Sequence, residues 1–324
     1  MQPGRSCPLH YRYAPQNFAR AADFEADTLY VIGGLYGNVP ALDAVLQLAA
    51  LEAGPVTLAF NGDFNWFNRD DAGFERINHE VLRHHALRGN VETELANDDD
   101  SAGCGCAYPA SVSDAEGERS NHILTLLRET ARRHAALRTR LAQLPMNLVA
   151  RVGGERVAIV HGDLESLAGW SLAQDALTSN QKTIINQIVT SNCRIIASSH
   201  TCLPLALSLD TRLGRCAVFN NGAAGMPNFH RTHCGVMTRV AATPAPASQA
   251  TLYGTRIGNV FVDALPVSYD HARWQHEFLA NWPAGSAAHA SYFQRILQGP
   301  AYTQQAAERL TVSFEPTARP TAIA

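Results

Sequence analysis

The sequence predicts an α/β fold built on mixed sheets, and three observations carry that expectation. Short β-branched runs alternate with helical patterns through the first part of the chain. Later runs read as antiparallel strands. Polar residues able to bind metal fall at the carboxyl ends of several of the strand-like runs, where open α/β sheets place their sites. At 324 residues the chain can bury a large core, and 46% apolar against 17% charged residues describes a globule rather than a disordered chain.

The elements follow in order. "LYVIGGLYGNVPALDAVL", residues 29–46, contains a strand (28–33), a glycine-rich turn and an amphipathic helix (39–50). Asn38 is a natural cap for that helix, and Pro40 is tolerated in its first turn. Strands are expected at 56–60, 86–88, 147–152, 156–160, 193–198, 204–209, 215–220, 235–241 and 259–267, and helices at 71–84, 118–143, 180–190, 270–280 and 287–298. Residues 97–117, "NDDDSAGCGCAYPASVSDAEG", form a long acidic, Gly/Ser-rich loop of the kind that is often functional. Residues 242–250, "ATPAPASQA", read as a surface excursion. The expected organisation is an N-terminal extension (1–27), one domain (28–310) and a poorly ordered tail (311–324).

Bulk properties exclude several classes. A net charge of −3 without a basic stripe argues against nucleic acid as the main partner. The basic residues are nearly all arginine, Lys182 being the only lysine, which reads as a coding bias. No apolar run is long enough to span a membrane, and the N-terminus lacks the apolar segment of a signal peptide, so a cytoplasmic location is expected. Seven cysteines, an odd count, read as thiols rather than a disulfide framework. Cys193 and Cys216 lie in strand-like runs, where a small buried hydrophobe is the default.

Asp63 follows "VTLAFNG", Asn90 follows "ALRG", His161 follows "VAIV" and His200 follows "RIIASS". Each alone has a bland reading: a turn carboxylate, a left-handed bend, a hydrogen-bonded core histidine. All four at strand ends make a mixed oxygen and nitrogen donor set suited to Mn²⁺, Fe²⁺, Co²⁺ or Zn²⁺.

The order of motifs resembles the calcineurin-like metallophosphoesterases, especially their bacterial phosphodiesterase branch. That family reads D-x-H-G-N, G-D, G-N-H-[DE] or a variant, a strand ending in His-Gly, G-H-x-H, and N-P-G-S-x-G-x-P. This chain reads "GGLYGNVPALDAVL", "NGDFNWFN", "RGNVETE", "VHGD", "SHTCLP" and "NNGAAGMPN" in the same order, over roughly residues 28–300. The resemblance implies a four-layer α/β/β/α sandwich of two mixed sheets, and two metal ions bridged by Asp63. The second ion would use Asp63, Asn90, His161 and His200.

The first ion's unshared positions are Gly34, Tyr36 and Cys202, and the family's acid is replaced by Val91. The opening loop is therefore a metal-binding turn stripped of its ligands. Tyr36 and Cys202 are candidate replacement ligands, since a phenolate suits Fe³⁺ and a thiolate suits Zn²⁺ or iron. Cys104 and Cys106 could donate thiolates from the long loop, and Glu92, Glu94 and Asp98–Asp100 carboxylates. Asp163, where the family has a small residue, reads either as a compensating ligand or as a turn-capping carboxylate. His230 and His233 are minor substrate-contact candidates. Two functions stay open: a hydrolase of a phosphodiester or small phosphorylated metabolite using one or two Mn, Fe or Zn ions, and an inactive binding or scaffold module. A redox iron site is a third expectation. For the scaffold, the 97–117 loop and the helices after 270 are the candidate contact surfaces, towards a protein partner or a second copy of the chain.

Overall fold

The computed structural model describes residues 3–310; the expectation for 311–324 lies outside the described residues. In chain order the strands are β1 (Phe24–Ala26), β2 (Thr28–Ile32), β3 (Val56–Asn61), β4 (His85–Leu87), β5 (Asn147–Val152), β6 (Glu155–Val160) and β7 (Ile195–Ser198). There follow β8 (Pro204–Thr211), β9 (Gly214–Asn221), β10 (Cys234–Ala241), β11 (Tyr253–Ile257), β12 (Val260–Ser268) and β13 (Glu308–Arg309). The helices are α1 (Val39–Ala50), α2 (Asp71–Val81), α3 (Asn90–Ala96), α4 (Asp114–Arg133) and α5 (Ala135–Ala142). After them come α6 (Ala176–Ser179), α7 (Gln181–Ser191), α8 (His271–Asn281), α9 (Ala287–Gln298) and α10 (Gln304–Ala307).

One sheet runs β11-β12-β10-β2-β3-β4 and the other β1-β5-β6-β7-β9-β8-β13. Both are mixed: β2, β3 and β4 pair in parallel while β10 pairs antiparallel with β2, and β6, β7 and β9 are parallel while β8 is antiparallel to β9. Strand periodicity sorts the side chains into layers. Leu29, Val31 and Ala59 face Ala150, Val157, Ile159 and Ile195 between the sheets. On the outer face of the first sheet, Tyr30, Ile32, Leu58 and Phe60 pack under Leu42 and Val45 of α1 and Phe74 and Ile77 of α2. Val149, Ala158, Ile196 and Val218 do the same for the second sheet beneath Ile184 and Ile188 of α7. The result is two mixed sheets back to back with helices outside.

Several departures from expectation have local causes. The helix expected over 118–143 begins earlier, where Ser113 and Glu116 form a capping box, and breaks at His134, whose backbone (φ −113°, ψ 59°) is not helical. The long loop therefore ends at Ser113. The short helix α3 and edge strands β1 and β11 carry too few periodic residues to stand out in the sequence. Before residue 28, Tyr11 and Phe18 are fully buried and β1 pairs with β5.

A buried charge fastens the first sheet to its helical layer. Arg239 on β10 has no exposed side-chain surface and binds Glu52 through Nε (2.6 Å) and Nη2 (3.1 Å). It also donates to the carbonyls of Thr243 and Pro244, at the start of the excursion expected at 242–250. Removing one partner of a buried pair strands the other charge. Arg239→Ala is therefore expected to cost about 3–5 kcal/mol of unfolding free energy. Urea denaturation checks this; a loss under about 1 kcal/mol, the range of a surface pair, would contradict it.

Candidate metal centre

β3, β4, β6 and β7 all end at one edge of the sandwich, and the residues just beyond them meet there. Gly62 and Asp63 follow β3, Gly89 and Asn90 follow β4, His161 follows β6 and His200 follows β7. His161 Nε2 lies 3.3 Å from Asp63 Oδ2, 3.1 Å from Asn90 Oδ1 and 3.0 Å from His200 Nδ1. Asp63, His161 and His200 form a candidate cluster for a cation, all three buried.

Hydrogen bonds behind the cluster decide what its atoms present. His161 Nδ1–H donates to the Asn61 carbonyl (2.9 Å), which leaves Nε2 with a lone pair. His200 Nε2–H donates to the Cys106 carbonyl (3.0 Å), which leaves Nδ1 with one. The Asn90 amide donates to the Cys104 carbonyl (2.9 Å), so its oxygen faces inward. With Asp63 Oδ2, four acceptors converge with no donor among them. Only a proton or a cation relieves that arrangement, and backing hydrogen bonds of this kind are how metal-binding histidines are oriented. The donor set fits a divalent transition metal of the Mn, Fe or Zn kind.

The electrostatics agree. Burial would raise the Asp63 pKa, but the charge and hydrogen bond of His161 hold it below the usual carboxylate value. For His161, burial is outweighed by Asp63, so its pKa is raised. His200 is pushed down to about 3 by burial first and then by the charge of His161.

Glu92 fixes the two loops together. Its carboxylate accepts from the backbone N–H of Asp63 (2.8 Å), Asn65 (3.1 Å) and Gly89 (3.0 Å). Burial and then the charge of Asp63 raise its pKa to about 7. Gly89 must be glycine, because a Cβ there would lie 2.2 Å from Asp63 Oδ1. Both residues are positioning groups rather than ligands, and the motif "RGNVETE" signalled their place without this role.

Of the other candidates, Tyr36 and Cys202 sit beside the cluster and line the same cavity as Asp63 and His200. Tyr36 Oη and Cys202 Sγ are 2.8 Å apart, and the Cys202 thiol donates onward to the His200 carbonyl. Burial, the leading cause for both, raises their pKa values, so without an ion the phenol and thiol are protonated. Residue 34 has φ +59°, and a Cβ on it would sit 2.9 Å from Tyr36 Cζ; the tyrosine ring lies where a first-motif side chain would project. Tyr36, Asp63 and Cys202 all take positive φ (56°, 52° and 60°), a sparsely populated state for such residues that tends to mark functional sites.

The thiolates expected of Cys104 and Cys106 need correction: the two are joined to each other as a disulfide, and their loop reaches the cluster with carbonyl oxygens instead. Asp163 is a turn carboxylate, accepting from the N–H of Glu165, Ser166 and Ser171 and from the Ser171 hydroxyl. Glu94 binds Arg128 and Tyr11, Asp98 binds Arg138, and Asp99 accepts from Ser101, so none of these is turned to the cluster. His233 stacks on His271 and makes its ring contact with the Leu297 carbonyl, apart from the site.

A cavity of about 190 Å³ opens over the cluster, lined by Asp63, Asn90 and His200 and by the aromatic rings of Tyr36, Trp66, Tyr108, Trp170 and Tyr292. Among the described residues, no lysine or arginine lines it.

No protein-family model and no curated protein matches the chain. Solved structures do. A hypothetical protein from Pyrococcus horikoshii OT3 superimposes with a TM-score of 0.58 at 19% identity, covering 85% of this chain and 99% of its own. A metallophosphoesterase from Sphaerobacter thermophilus does so with a TM-score of 0.53 at 15% identity, covering 84% and 100%. The fold is that of the metallophosphoesterases.

Two outcomes are expected of the cluster. An ion has to displace the proton that Asp63 favours on His161, so Mn²⁺ affinity should fall as pH drops below a midpoint above 6.5, the ordinary imidazole value. One displaced proton corresponds to up to about tenfold per pH unit. Calorimetric titration across that range reads it, and a flat profile would rule out the displacement. Asp163→Ala removes an acceptor shared by four donors and should cost about 1–3 kcal/mol in urea while leaving the metal content unchanged.

Proposed function

We propose that this chain is a metal-dependent phosphoesterase-like hydrolase with a degenerate first metal site. It works with a single Mn, Fe or Zn ion, acting on a phosphodiester or a small phosphorylated metabolite. The observation that carries the reading is the convergence of four lone pairs, from Asp63, Asn90, His161 and His200, beneath a cavity that Asp63, Asn90 and His200 line. The motif order resembles the bacterial phosphodiesterase branch of the calcineurin-like family, and the metallophosphoesterase from Sphaerobacter thermophilus shares the fold.

A divalent ion bound there supplies Lewis acidity, lowering the pKa of water and drawing charge from phosphoryl oxygens. The chain's own residues orient and confine. Asn61 and Cys106 hold the histidine tautomers, Glu92 clamps the Asp63 and Asn90 loops, and aromatic rings wall the cavity above. With no cationic side chain in the lining, the ion alone answers the phosphate's charge. Val91 stands where the family has its acid, and its N–H donates to Asp63 Oδ1 (3.1 Å), so leaving groups that depart without a proton are favoured.

A second reading, a non-catalytic binding module, draws on the Tyr36–Cys202 pair that fills the first site. Five of the seven cysteines are unpaired, which suits the cytoplasm as the proposed location.

Elemental analysis of protein purified without chelator is expected to find one ion per chain, unchanged in Cys202→Ala and lost in His200→Ala. With Mn²⁺ added, hydrolysis of bis(p-nitrophenyl) phosphate should fall in Asn90→Ala and His200→Ala by more than the roughly 10–100-fold that loss of a backing hydrogen bond costs. Two ions, one of them lost in Cys202→Ala, would restore the rebuilt dinuclear site. No ion and no hydrolysis would favour the binding module.

A further inference from the structure

The loop between α3 and α4 touches the metal cluster in an unusual way: its hydrogen bonds to Asn90 and His200 all come from the two residues of one disulfide. The carbonyl of Cys104 accepts from the Asn90 amide (2.9 Å), and the carbonyl of Cys106 accepts from His200 Nε2–H (3.0 Å). These bonds decide which end of the Asn90 amide and which nitrogen of His200 face the ion. The disulfide closes a small ring around Gly105, with the two Cα atoms 5.3 Å apart, and so fixes the spacing of those carbonyls. Outside the ring, the Asn121 side chain accepts from the Cys104 N–H, and Trp170 Nε1 donates to the Cys106 carbonyl.

The two sulfurs are not equivalent. Cys104 is fully buried, whereas Cys106 is 6% exposed and lines the cavity above the cluster. The Cys106 N–H donates to Cys104 Sγ (3.4 Å), a contact that stabilises negative charge on that sulfur. Cys106 Sγ has a donor too, the Asn90 amide (3.6 Å), so it is access from the cavity that makes Cys106 the target of an attacking thiolate and Cys104 the leaving group.

We infer that Cys104–Cys106 is a thiol-exchange site, open to small thiols through the cavity, and that its state sets the affinity of the metal centre. A thiolate RS⁻ attacks Cys106 Sγ; the Cys106–Cys104 bond breaks, an RS–S bond forms on Cys106, and Cys104 leaves as thiolate. A second thiolate attacks the mixed disulfide and releases RSSR and the Cys106 thiolate. Both cysteines then take up the protons that the two thiols gave up. The balance is two RSH and one protein disulfide giving RSSR and two protein thiols. Opening the ring frees the peptide units that aim the two carbonyls, so Asn90 and His200 lose their fixed orientation. Loss of such a backing partner lowers metal affinity by about 10–100-fold. Disulfides in reducing compartments are commonly transient and regulatory, which suits this arrangement. The coupling rests on the metal reading of the cluster; the exchange chemistry does not.

Both parts are tested on the full chain. First, Cys104→Ser and Cys106→Ser are each incubated with glutathione disulfide and digested, and the mass of the peptide carrying residues 104 and 106 is read, so that the unpaired Cys7, Cys202 and Cys234 do not enter the result. Cys106, left free in the first variant, should take up one glutathione, and Cys104, left free in the second, should take up none. Labelling of Cys104 instead, or of neither, overturns the exchange site. Second, Mn²⁺ is titrated calorimetrically into oxidised protein and into protein reduced by a phosphine that is then removed, with circular dichroism confirming that the fold persists. The dissociation constant should rise about 10–100-fold on reduction and recover on reoxidation. An unchanged constant would make the disulfide a structural tie and overturn the coupling. Failure of both forms to bind Mn²⁺ overturns the coupling together with the metal reading, while the labelling result still decides the exchange site.

Discussion

Lone pairs brought together inside a protein repel one another unless something positive sits among them, and much of the described structure is arranged around that constraint. Asp63, Asn90, His161 and His200 come from four strand ends, and none could hold its orientation alone. His161 is aimed by a carbonyl at the end of β3, His200 and Asn90 by carbonyls from the loop before α4, and Asp63 by the Val91 N–H at the start of α3. Each hydrogen bond places a proton on the outer side of a ligand and so removes one from the inner side. The parallel pairing of β2, β3 and β4, and of β6 and β7, brings those ends to one edge. The carboxylate that could have competed for the cation, Glu92, spends its acceptors on three backbone N–H groups.

The opposite half of the site has the reverse character. Where a second cation would need more acceptors, the chain supplies protons: the Tyr36 hydroxyl meets the Cys202 thiol, and the thiol meets the His200 carbonyl. Burial keeps both groups neutral, so the pair is satisfied without an ion. The bare turn beside it is held by backbone contacts. Gly34 and Tyr36 donate to the carbonyls of Gly62 and Asp63, and Ala224 and Gly225 donate to those of Gly33 and Gly34. The turn keeps its shape through these backbone contacts, without ligand side chains at its tip.

The main layers were legible because period-two apolar runs and capped amphipathic helices report themselves within a window of a dozen residues. The same local reading placed Asp63, Asn90, His161 and His200 at strand ends, since each directly follows an apolar run. What was not legible depends on partners far away in sequence. Tyr36 and Cys202 lie 166 residues apart, and nothing near either one announces a hydrogen bond between them. Arg239 stands in an otherwise apolar strand, and only the fold shows Glu52 waiting for it. The pair Cys104 and Cys106 is visible as a motif, but C-x-C is a weak signal, and its spacing does not distinguish thiolate ligands from a closed ring. The function of their carbonyls has no sequence signature at all.

In the reading proposed above, a divalent ion would sit beside Asp63 in a cavity that Glu116 also lines, so the ion would supply the positive charge that meets the substrate. No arginine or lysine lines that cavity among the described residues. The walls of Trp66, Tyr108, Trp170 and Tyr292 offer aromatic faces, and the Tyr108 hydroxyl is already paired with Ser120. A leaving group stabilised by its own aromatic ring needs no protonation by the protein, which is consistent with Val91 in the acid's position. On the proposed reading, ligand set, lining and Val91 would favour the same kind of ester.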